Sequence, residues 1–151
     1  MNSTLDVLIT RAKGRTATQE EQLHQLVSQT GGRPLGVANL AEAVSALRNC
    51  NQPIVLLSEH FDRSSALEMI RLLRQCNRRV RIILLADTDN VSFLRQARSA
   101  GIFYHALEPR SEEDLAELKL ALHSAVEQCH EQQQTEQREH RLWRHLTTAL
   151  G

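Results

Sequence analysis

Aromatic residues, cysteines and long apolar runs are all scarce in this chain of 151 residues. The three cysteines, Cys50, Cys76 and Cys129, are odd in number and far apart, which argues against a disulfide framework and a cysteine-rich metal site. We interpret them as reduced thiols of a cytoplasmic protein. No apolar run approaches the roughly 20 residues that a membrane helix needs, and the amino terminus lacks the pattern of a signal peptide. We therefore expect a cytoplasmic protein with no membrane contact.

Net charge is absent too, because 18 basic residues balance 18 acidic ones. No overall field therefore draws the chain to nucleic acid or to a membrane surface. A local basic cluster is formed by Arg71, Arg74, Arg78, Arg79 and Arg81. Aromatic residues are few and no nucleic-acid recognition motif is present, so we interpret this cluster as a solvated face or a docking face for an acidic protein. We expect no direct contact with nucleic acid.

Patterns for catalysis and for metal binding are weak. Ser58, His60 and Asp62 include the residue types of a nucleophilic site, but no Gly-x-Ser-x-Gly turn surrounds the serine. None of the seven histidines stands in a helical metal-binding signature with a carboxylate, and glycine-rich phosphate loops are missing. We expect no enzymatic activity, no bound metal and no cofactor.

Short apolar runs that alternate with amphipathic stretches are the main pattern in the chain. Five runs have the length of strands, the last being the weakest: 5–10 (LDVLIT), 34–38 (PLGVA), 53–57 (PIVLL), 80–86 (VRIILLA) and 102–107 (IFYHAL). Runs that are apolar on both faces are typical of a parallel sheet covered on both sides. Apolar residues at helical spacing predict a helix after each strand.

Capping residues mark several helix boundaries. Asn39 is expected to cap the second helix, and Ser64 or Ser65 the third. Gly101 is expected to end the fourth helix. Ser111, with Asp114 three residues on, resembles a capping box at the start of the fifth helix.

A strand followed by a helix, repeated five times, predicts an α/β fold with right-handed crossovers. This rhythm favours a flavodoxin-like three-layer fold with a five-stranded parallel sheet of order 2-1-3-4-5 and an extended C-terminal helix. In such folds the functional residues stand at the carboxyl ends of the strands. These ends are Thr10-Arg11, Ser58-Glu59-His60, Ala86-Asp87 and Glu108-Pro109.

Three segments resemble the receiver domain of two-component response regulators. IVLLSEHFDRSSALEMIRLLR, residues 54–74, is similar to the region around the family's phosphorylated aspartate. RIILLADTDN, residues 81–90, resembles the fourth strand and its loop, and AGIFYHALEPRSEEDL, residues 100–115, resembles the fifth strand and the Lys-Pro pair. The resemblance covers about residues 4–128 and implies a domain of bacterial two-component signalling.

The residues that carry phosphorylation in this family are all replaced. They are two metal-binding acids, the phosphoacceptor aspartate, a Ser or Thr, an aromatic switch residue and a lysine. In that order, the residues at the matching positions are Thr10 and Arg11, Ser58, Ala86, His105 and Glu108. A serine hydroxyl does not replace a carboxylate nucleophile, and an arginine opposes a divalent cation. The resemblance therefore implies a degenerate pseudo-receiver.

The charges at the matching positions are also inverted, with bases after the first strand and an acid after the fifth. We hypothesise that a basic side chain of the first loop, Arg11 before Lys13 and Arg15, pairs with Glu108 and holds the loops in one state. The alternative is two unrelated solvated charges. An exposed pair would contribute at most about 1 kcal/mol.

The last helical pattern continues past the receiver-like region. Residues 112–150 contain no Gly or Pro, so about 39 helical residues would reach roughly 58 Å. Apolar residues recur from Leu115 to Cys129, and the spacing resumes in phase at Trp143, Leu146 and Leu150. We predict a receiver-like domain at 1–128 and a helical extension at 129–151, either a coiled coil or a linker to an output domain.

Two classes of function follow. The first is a non-phosphorylatable signalling domain that acts by protein–protein interaction or as a homodimer, as the regulatory module of a bacterial signalling or transcription regulator; this chain would then be either that module alone or the amino-terminal fragment of a longer regulator. Its predicted interaction residues, on the fourth helix, the fifth strand and the outer face of the last helix, are Phe93, Leu94, Arg95, Arg98, Tyr104, His105, Leu118, Leu122, Val126, Trp143 and Leu146. The alternative is a flavodoxin-like small-ligand sensor or enzyme that uses the strand-end pocket. A pocket filled by side chains would favour the first.

Overall fold

The computed structural model describes residues 4–150, apart from the side chain of Leu150. The predicted domain ranges therefore begin and end with residues outside the described part. Strands and helices alternate as follows: β1 Leu5–Thr10, α1 Ala17–Gln29, β2 Gly32–Val37, α2 Leu40–Arg48, β3 Ile54–Ser58, α3 Ala66–Cys76, β4 Arg81–Leu85, α4 Val91–Ala100, β5 Tyr104–Ala106 and α5 Glu112–Leu150.

The five strands form one parallel sheet in the order β2-β1-β3-β4-β5, which confirms the predicted fold and sheet order. β2 begins at Gly32, two residues before the predicted start at Pro34. Glycine is required there by close packing, because a Cβ at Gly32 would lie 2.7 Å from Val7 Cγ2. β5 is shorter than the predicted 102–107, since only Tyr104–Ala106 pair with β4 at the sheet edge.

Each face of the sheet has its own apolar core. Leu5, Val7 and Ile9 of β1 point to the face covered by α1 and α5, while Leu8 points to the opposite core. That second core contains buried residues of α2, α3 and α4. Both faces are therefore covered, which explains why β3 and β4 are apolar at successive positions.

The predicted helix boundaries are confirmed at four helices. The Asn39 side chain accepts a hydrogen bond from the Glu42 N–H at the start of α2, and Ser65, the second of the two candidates, does the same at α3. Gly101 ends α4 with a φ of 105°, a left-handed conformation that favours glycine. Ser111 Oγ accepts from the Asp114 N–H at 3.2 Å.

Helix α5 is continuous over 39 residues, and its first half lies on the sheet. Leu118, Leu122 and Val126 were predicted on its outer face, and that placement is wrong. All three side chains are buried against the sheet, with 0%, 0% and 5% exposure. Apolar residues occur on both sides of this stretch, and the sequence does not say which side meets the sheet; Leu120, on the other side, is 73% exposed.

Two arginines at the amino edge of the sheet contact the middle of α5. Arg81 donates to Cys129 Sγ at 3.1 Å and to Gln132 Oε1 at 2.9 Å, and Arg79 pairs with Glu136 at 3.0 Å. From residue 137 to 149 every side chain is exposed. The helix therefore stays in contact with the body of the molecule, meaning the sheet and the helices packed on it, for about two turns beyond residue 128. The domain boundary predicted at that residue remains a prediction.

Within residues 4–150, no helix combines the length and the hydropathy needed to cross a bilayer. The same part of the chain contains no group of three or more His, Cys, Asp or Glu side chains placed to hold a metal ion.

Candidate functional site

The parallel sheet brings the carboxyl ends of β1, β3, β4 and β5 to one edge. Ser58 is in register with Leu85, and Leu85 with Ala106, so the predicted strand-end residues are neighbours. Thr10, Ser58 and Ala86 are 0%, 2% and 1% exposed. These three residues are thus packed into the end of the sheet.

Thr10 joins β1 to β3 through its side chain. Its hydroxyl donates to the Leu56 carbonyl at 2.9 Å and accepts from the Ser58 N–H at 2.8 Å. The backbone pairing of these strands ends at Ile9 and Leu56, so the hydroxyl extends the pairing by one residue. The Thr10 side chain is therefore a neutral group that is committed to the backbone.

Arg15, not Arg11, pairs with Glu108. The Arg15 Nη2 group lies 2.8 Å from Glu108 Oε1 and 3.1 Å from Oε2. The Nη1 group lies 2.8 Å from Glu20 Oε1 and donates to the Thr10 carbonyl, also at 2.8 Å. The hypothesis of a pair between the first loop and Glu108 is therefore correct, but its first choice of residue is wrong.

The local backbone explains why Arg15, and not Arg11, reaches Glu108. Gly14 has a φ of 84°, which turns the chain back over the end of β1 directly before Arg15. Thr16 then caps α1 in a capping box with Gln19. Because α1 begins at the carboxyl edge of the sheet, the residue before its cap is held over that edge, whereas Arg11 stays exposed.

The Arg15 cluster is largely buried. The Arg15 side chain is 4% exposed, that of Glu108 18% and that of Glu20 31%. A buried guanidinium is costly unless opposite charges and hydrogen bonds compensate it, and here two carboxylates and a carbonyl surround it. Among residues 4–150, no group accepts a hydrogen bond from the buried Nε of Arg15. The limit of about 1 kcal/mol expected for an exposed pair does not apply to this cluster.

Asp87 and Arg110 extend the cluster along the sheet edge. Asp87 Oδ1 accepts from the Glu108 N–H at 3.2 Å, and Arg110 pairs with Asp87 Oδ2 at 2.7 Å. The backbone of Glu108 is thereby tied to the loop after β4 while its side chain is tied to the loop after β1. Loops that follow three strands are held together by ion pairs.

The space around Ser58 is small. A cavity of about 140 Å³ is bordered by Ser58, Arg15, Asp87 and Glu108, among others. Pockets for small organic ligands usually measure about 300–1,000 Å³. This corner of the strand-end site is therefore occupied mainly by the chain's own side chains.

His105 and Ala86 form a direct contact at the end of β4. His105 Nε2 lies 2.9 Å from the Ala86 carbonyl oxygen. A carbonyl can only accept, so the imidazole donates this hydrogen bond. The ring is half-buried and contacts the backbone of the site, which makes it less available for interaction than predicted.

Ser58, His60 and Asp62 do not form a nucleophilic triad. Asp62 accepts from the Leu40 N–H at 2.8 Å and from the Arg63 N–H at 2.7 Å, so it binds the first N–H of α2 beside the Asn39 cap. These two hydrogen bonds, that from Leu40 first, hold the pKa of Asp62 below its usual value. His60 is exposed while Ser58 is buried.

A wider groove of about 1170 Å³ lies beside the site. The residues that border it include Arg11, Lys13, Glu59, His60, Arg63 and Phe93. Neither Ser58 nor Glu108 borders this groove. A ligand there would contact the strand-end residues Arg11, Glu59 and His60 but not Ser58 or Glu108.

The other predicted interaction residues divide into exposed and half-buried groups. Arg95, Arg98 and Tyr104 are exposed, and Phe93 and Leu94 are half-buried. The Tyr104 hydroxyl donates to Glu117 Oε1 at 3.2 Å, which raises the pKa of Tyr104. On the last helix, Trp143 and Leu146 are 69% and 51% exposed.

Sequence reasoning placed Arg11 first among three cations, identified Asp87 only as a strand-end residue, and missed Glu20 and Arg110. A usable signal was present for Arg15, since it lies between a glycine and the Thr16-Gln19 capping pair. The Asp87–Arg110 pair joins two loops whose distance depends on the packing of β5 against β4.

No protein-family model matches this chain, and no curated protein matches it in sequence. Solved structures do match it. The signal receiver domain of an HD domain-containing protein from Pseudomonas fluorescens Pf-5 superposes with a TM-score of 0.72 at 18% identity, covering 89% of this chain and 95% of that one.

Two further receiver domains are similar. A response regulator receiver domain protein from Clostridium thermocellum has a TM-score of 0.66 at 17% identity and covers 82% of this chain and 95% of its own. A CheY-like receiver domain protein from Methanospirillum hungatei JF-1 has a TM-score of 0.65 at 15% identity, with coverages of 83% and 99%. At these identities the likeness establishes that this chain has the receiver fold.

Proposed function

We propose that this chain is a receiver-like signalling domain that is not phosphorylated and that acts by protein–protein interaction, including self-association. It would serve as the regulatory module of a bacterial signalling or transcription regulator. The observation that carries the proposal is the Arg15 guanidinium, which spans the strand-end site and binds Glu108 through two hydrogen bonds.

The chemistry of the site supports this proposal. Phosphoryl transfer to an aspartate needs a carboxylate nucleophile and a divalent cation held by oxygen ligands. Ser58 supplies neither group at the end of β3, and the Thr10 hydroxyl is bonded to Leu56 and Ser58. The Arg15 side chain adds a positive charge next to the place where the cation would bind.

The ion pairs also suggest how such a domain would work. Arg15, Asp87 and Arg110 join the loops after β1, β4 and β5, so the strand-end loops are held in one arrangement. A domain held in this way presents a constant surface and responds to a partner or to a linked domain. The exposed residues Arg95, Arg98 and Tyr104 and the exposed side of α5 are the surfaces for such contacts.

The test is treatment with acetyl phosphate and Mg²⁺, followed by intact-mass measurement and amide NMR spectra. We expect no added phosphoryl group and no chemical-shift change near Ser58. A phosphorylatable receiver domain treated in parallel is the positive control. Addition of one phosphoryl group to this chain would overturn the proposal.

The small-ligand alternative is tested by the same spectra. The 1170 Å³ groove beside Arg11 is the place where such a ligand would fit. A panel of nucleotides and small carboxylic acids should leave the amides of the groove unshifted. A saturable shift that Arg11→Gln abolishes and the matched exposed substitution Arg48→Gln leaves intact would favour the ligand sensor.

A further inference from the structure

The side of α5 that faces away from the sheet carries exposed leucines at both ends. Leu120 is 73% exposed and Leu142 is 62% exposed, and Leu146 follows one turn later at 51%. Leu120 and Leu142 are separated by about six helical turns, or about 33 Å, and so lie on nearly the same side. Glu131 stands midway between them on that side.

The two halves of α5 have opposite charge. Five exposed acids, Glu112, Glu113, Glu117, Glu127 and Glu131, stand in the half that lies on the body. The projecting half, from residue 137 on, has three exposed arginines against one acid, Glu139. His140 and His145 are also exposed there and add positive charge when protonated.

The sheet-facing stripe cannot serve as a coiled-coil interface along its whole length. Leu118, Leu122 and Cys129 of that stripe are fully buried in the chain's own core. Within the described residues, the exposed apolar side chains of this stripe, Trp143 and Leu146, therefore lie only in the projecting part of the helix. An interface that uses both halves of α5 has to use the outer side.

We propose that a second copy of this chain binds here, with the two α5 helices side by side and antiparallel, centred on Glu131. This inference rests on the proposed function and specifies the surface through which the chain would associate with itself. In this alignment Leu120 of one copy faces Leu142 of the other, Ser124 faces Arg138, and Glu117 faces His145.

Charge complementarity selects the antiparallel direction. It places the basic projecting half of each helix along the acidic half of the other, and opposite charges across helices stabilise pairing. A parallel pair would place acid beside acid and base beside base. The single unfavourable contact is between Glu131 of one copy and Glu131 of the other. This position is exposed, so water and salt screen the repulsion.

The shape of the molecule allows this arrangement. The body covers only the inner side of α5 as far as Glu136, and the projecting half of the second copy would lie on the outer side. The two bodies would then stand at opposite ends of the helix pair. Tyr104, 39% exposed and bonded to Glu117, borders the same side and would contact the other copy's projecting half.

The first test is the solution mass of the full chain by sedimentation equilibrium. We expect a dimer whose dissociation constant rises at least about tenfold in Leu120→Ser and in Leu142→Ser, because each loses a buried leucine contact. Leu72→Ser is the matched control, since Leu72 is exposed on α3 at the opposite face of the sheet. A monomeric full chain, or a dimer that neither leucine substitution weakens, would overturn the inference.

The second test uses charge reversal to determine whether the two α5 helices run antiparallel. Arg138→Glu with Arg141→Glu should weaken the dimer, and so should Glu117→Lys with Glu127→Lys. A chain with all four substitutions should dimerise again if the pair is antiparallel. The projecting part, now more acidic, then lies along the part of the other copy that is now more basic. If the fourfold variant stays as weak as the double variants, the antiparallel arrangement is wrong.

These outcomes are independent of the phosphorylation test. A chain that dimerises through the outer side of α5 and also accepts a phosphoryl group would overturn the proposed function and leave the helix pairing intact. A monomer that resists acetyl phosphate would overturn the helix pairing and the self-association, and it would leave intact the proposal of an unphosphorylated domain that binds other proteins.

Discussion

The two edges of the sheet are both closed by arginine ion pairs, but the two networks differ in burial. At the carboxyl edge, the Arg15 side chain is 4% exposed and contacts two carboxylates and a carbonyl. At the amino edge, the side chain of Arg79 is 43% exposed and bonds Glu136 of α5. The carboxyl edge is therefore held by a mostly buried charge cluster, while the Arg79–Glu136 pair at the amino edge is a surface contact with α5.

Arg15→Met should have the largest effect on this comparison. It leaves Glu108 and Glu20 without their shared cation at a mostly buried place, so the free energy of unfolding should fall by about 3 kcal/mol. Urea denaturation measures this. Lys13→Met, on the same loop but exposed, is the control and should change stability by less than about 0.5 kcal/mol. Equal losses in both variants would contradict a structural role for the cluster.

Thr10→Val should cause the second-largest loss of stability. The substitution keeps the shape of the side chain but leaves the Leu56 carbonyl and the Ser58 N–H without their partner, at an expected cost of about 1–3 kcal/mol. Thr18→Val, at an exposed position of α1, is the matched control in the same denaturation experiment. A neutral result would mean that water or a shifted backbone replaces the hydroxyl.

The amino edge should respond to alkaline pH through Cys50. Burial, followed by its hydrogen bond to Asp6, raises the pKa of the Cys50 thiol from 9.0 to about 11. The neutral thiol is thus favoured in the folded state, so its contribution to stability is complete below pH 9 and is lost as the pH rises towards 11. Alkylation of native protein should show a Cys50 rate that keeps rising beyond pH 9 and levels off only near pH 11, and Cys50→Ser should flatten the alkaline loss of stability. A Cys50 rate that levels off near pH 9 would contradict this.

Arg79→Ala should have the smallest effect. Both partners of the Arg79–Glu136 pair are more than a third exposed, and such pairs contribute less than about 1 kcal/mol. Thermal unfolding should therefore barely change. A loss as large as that of Thr10→Val would remove the distinction between the two edges.

Local patterns were sufficient for much of this molecule. The order of elements, the caps at Asn39, Ser65 and Gly101, and the reach of the last helix depend on side chains and backbones a few residues apart. The strand-end residues Thr10, Ser58 and Ala86 could also be placed in advance, because a parallel sheet brings the carboxyl ends of its strands to one edge.

The remaining features depend on packing between residues that are far apart in sequence. Arg11, Lys13 and Arg15 are equivalent as charges, and Arg15 reaches Glu108 because the Gly14 turn and the docking of α1 hold it above β1, 93 residues from its partner in sequence. Leu118 and Leu120 are both leucines of one helix, and the sheet buries the first and leaves the second exposed. A helix with apolar residues on two sides does not specify which side is covered; the surface it packs against makes that choice.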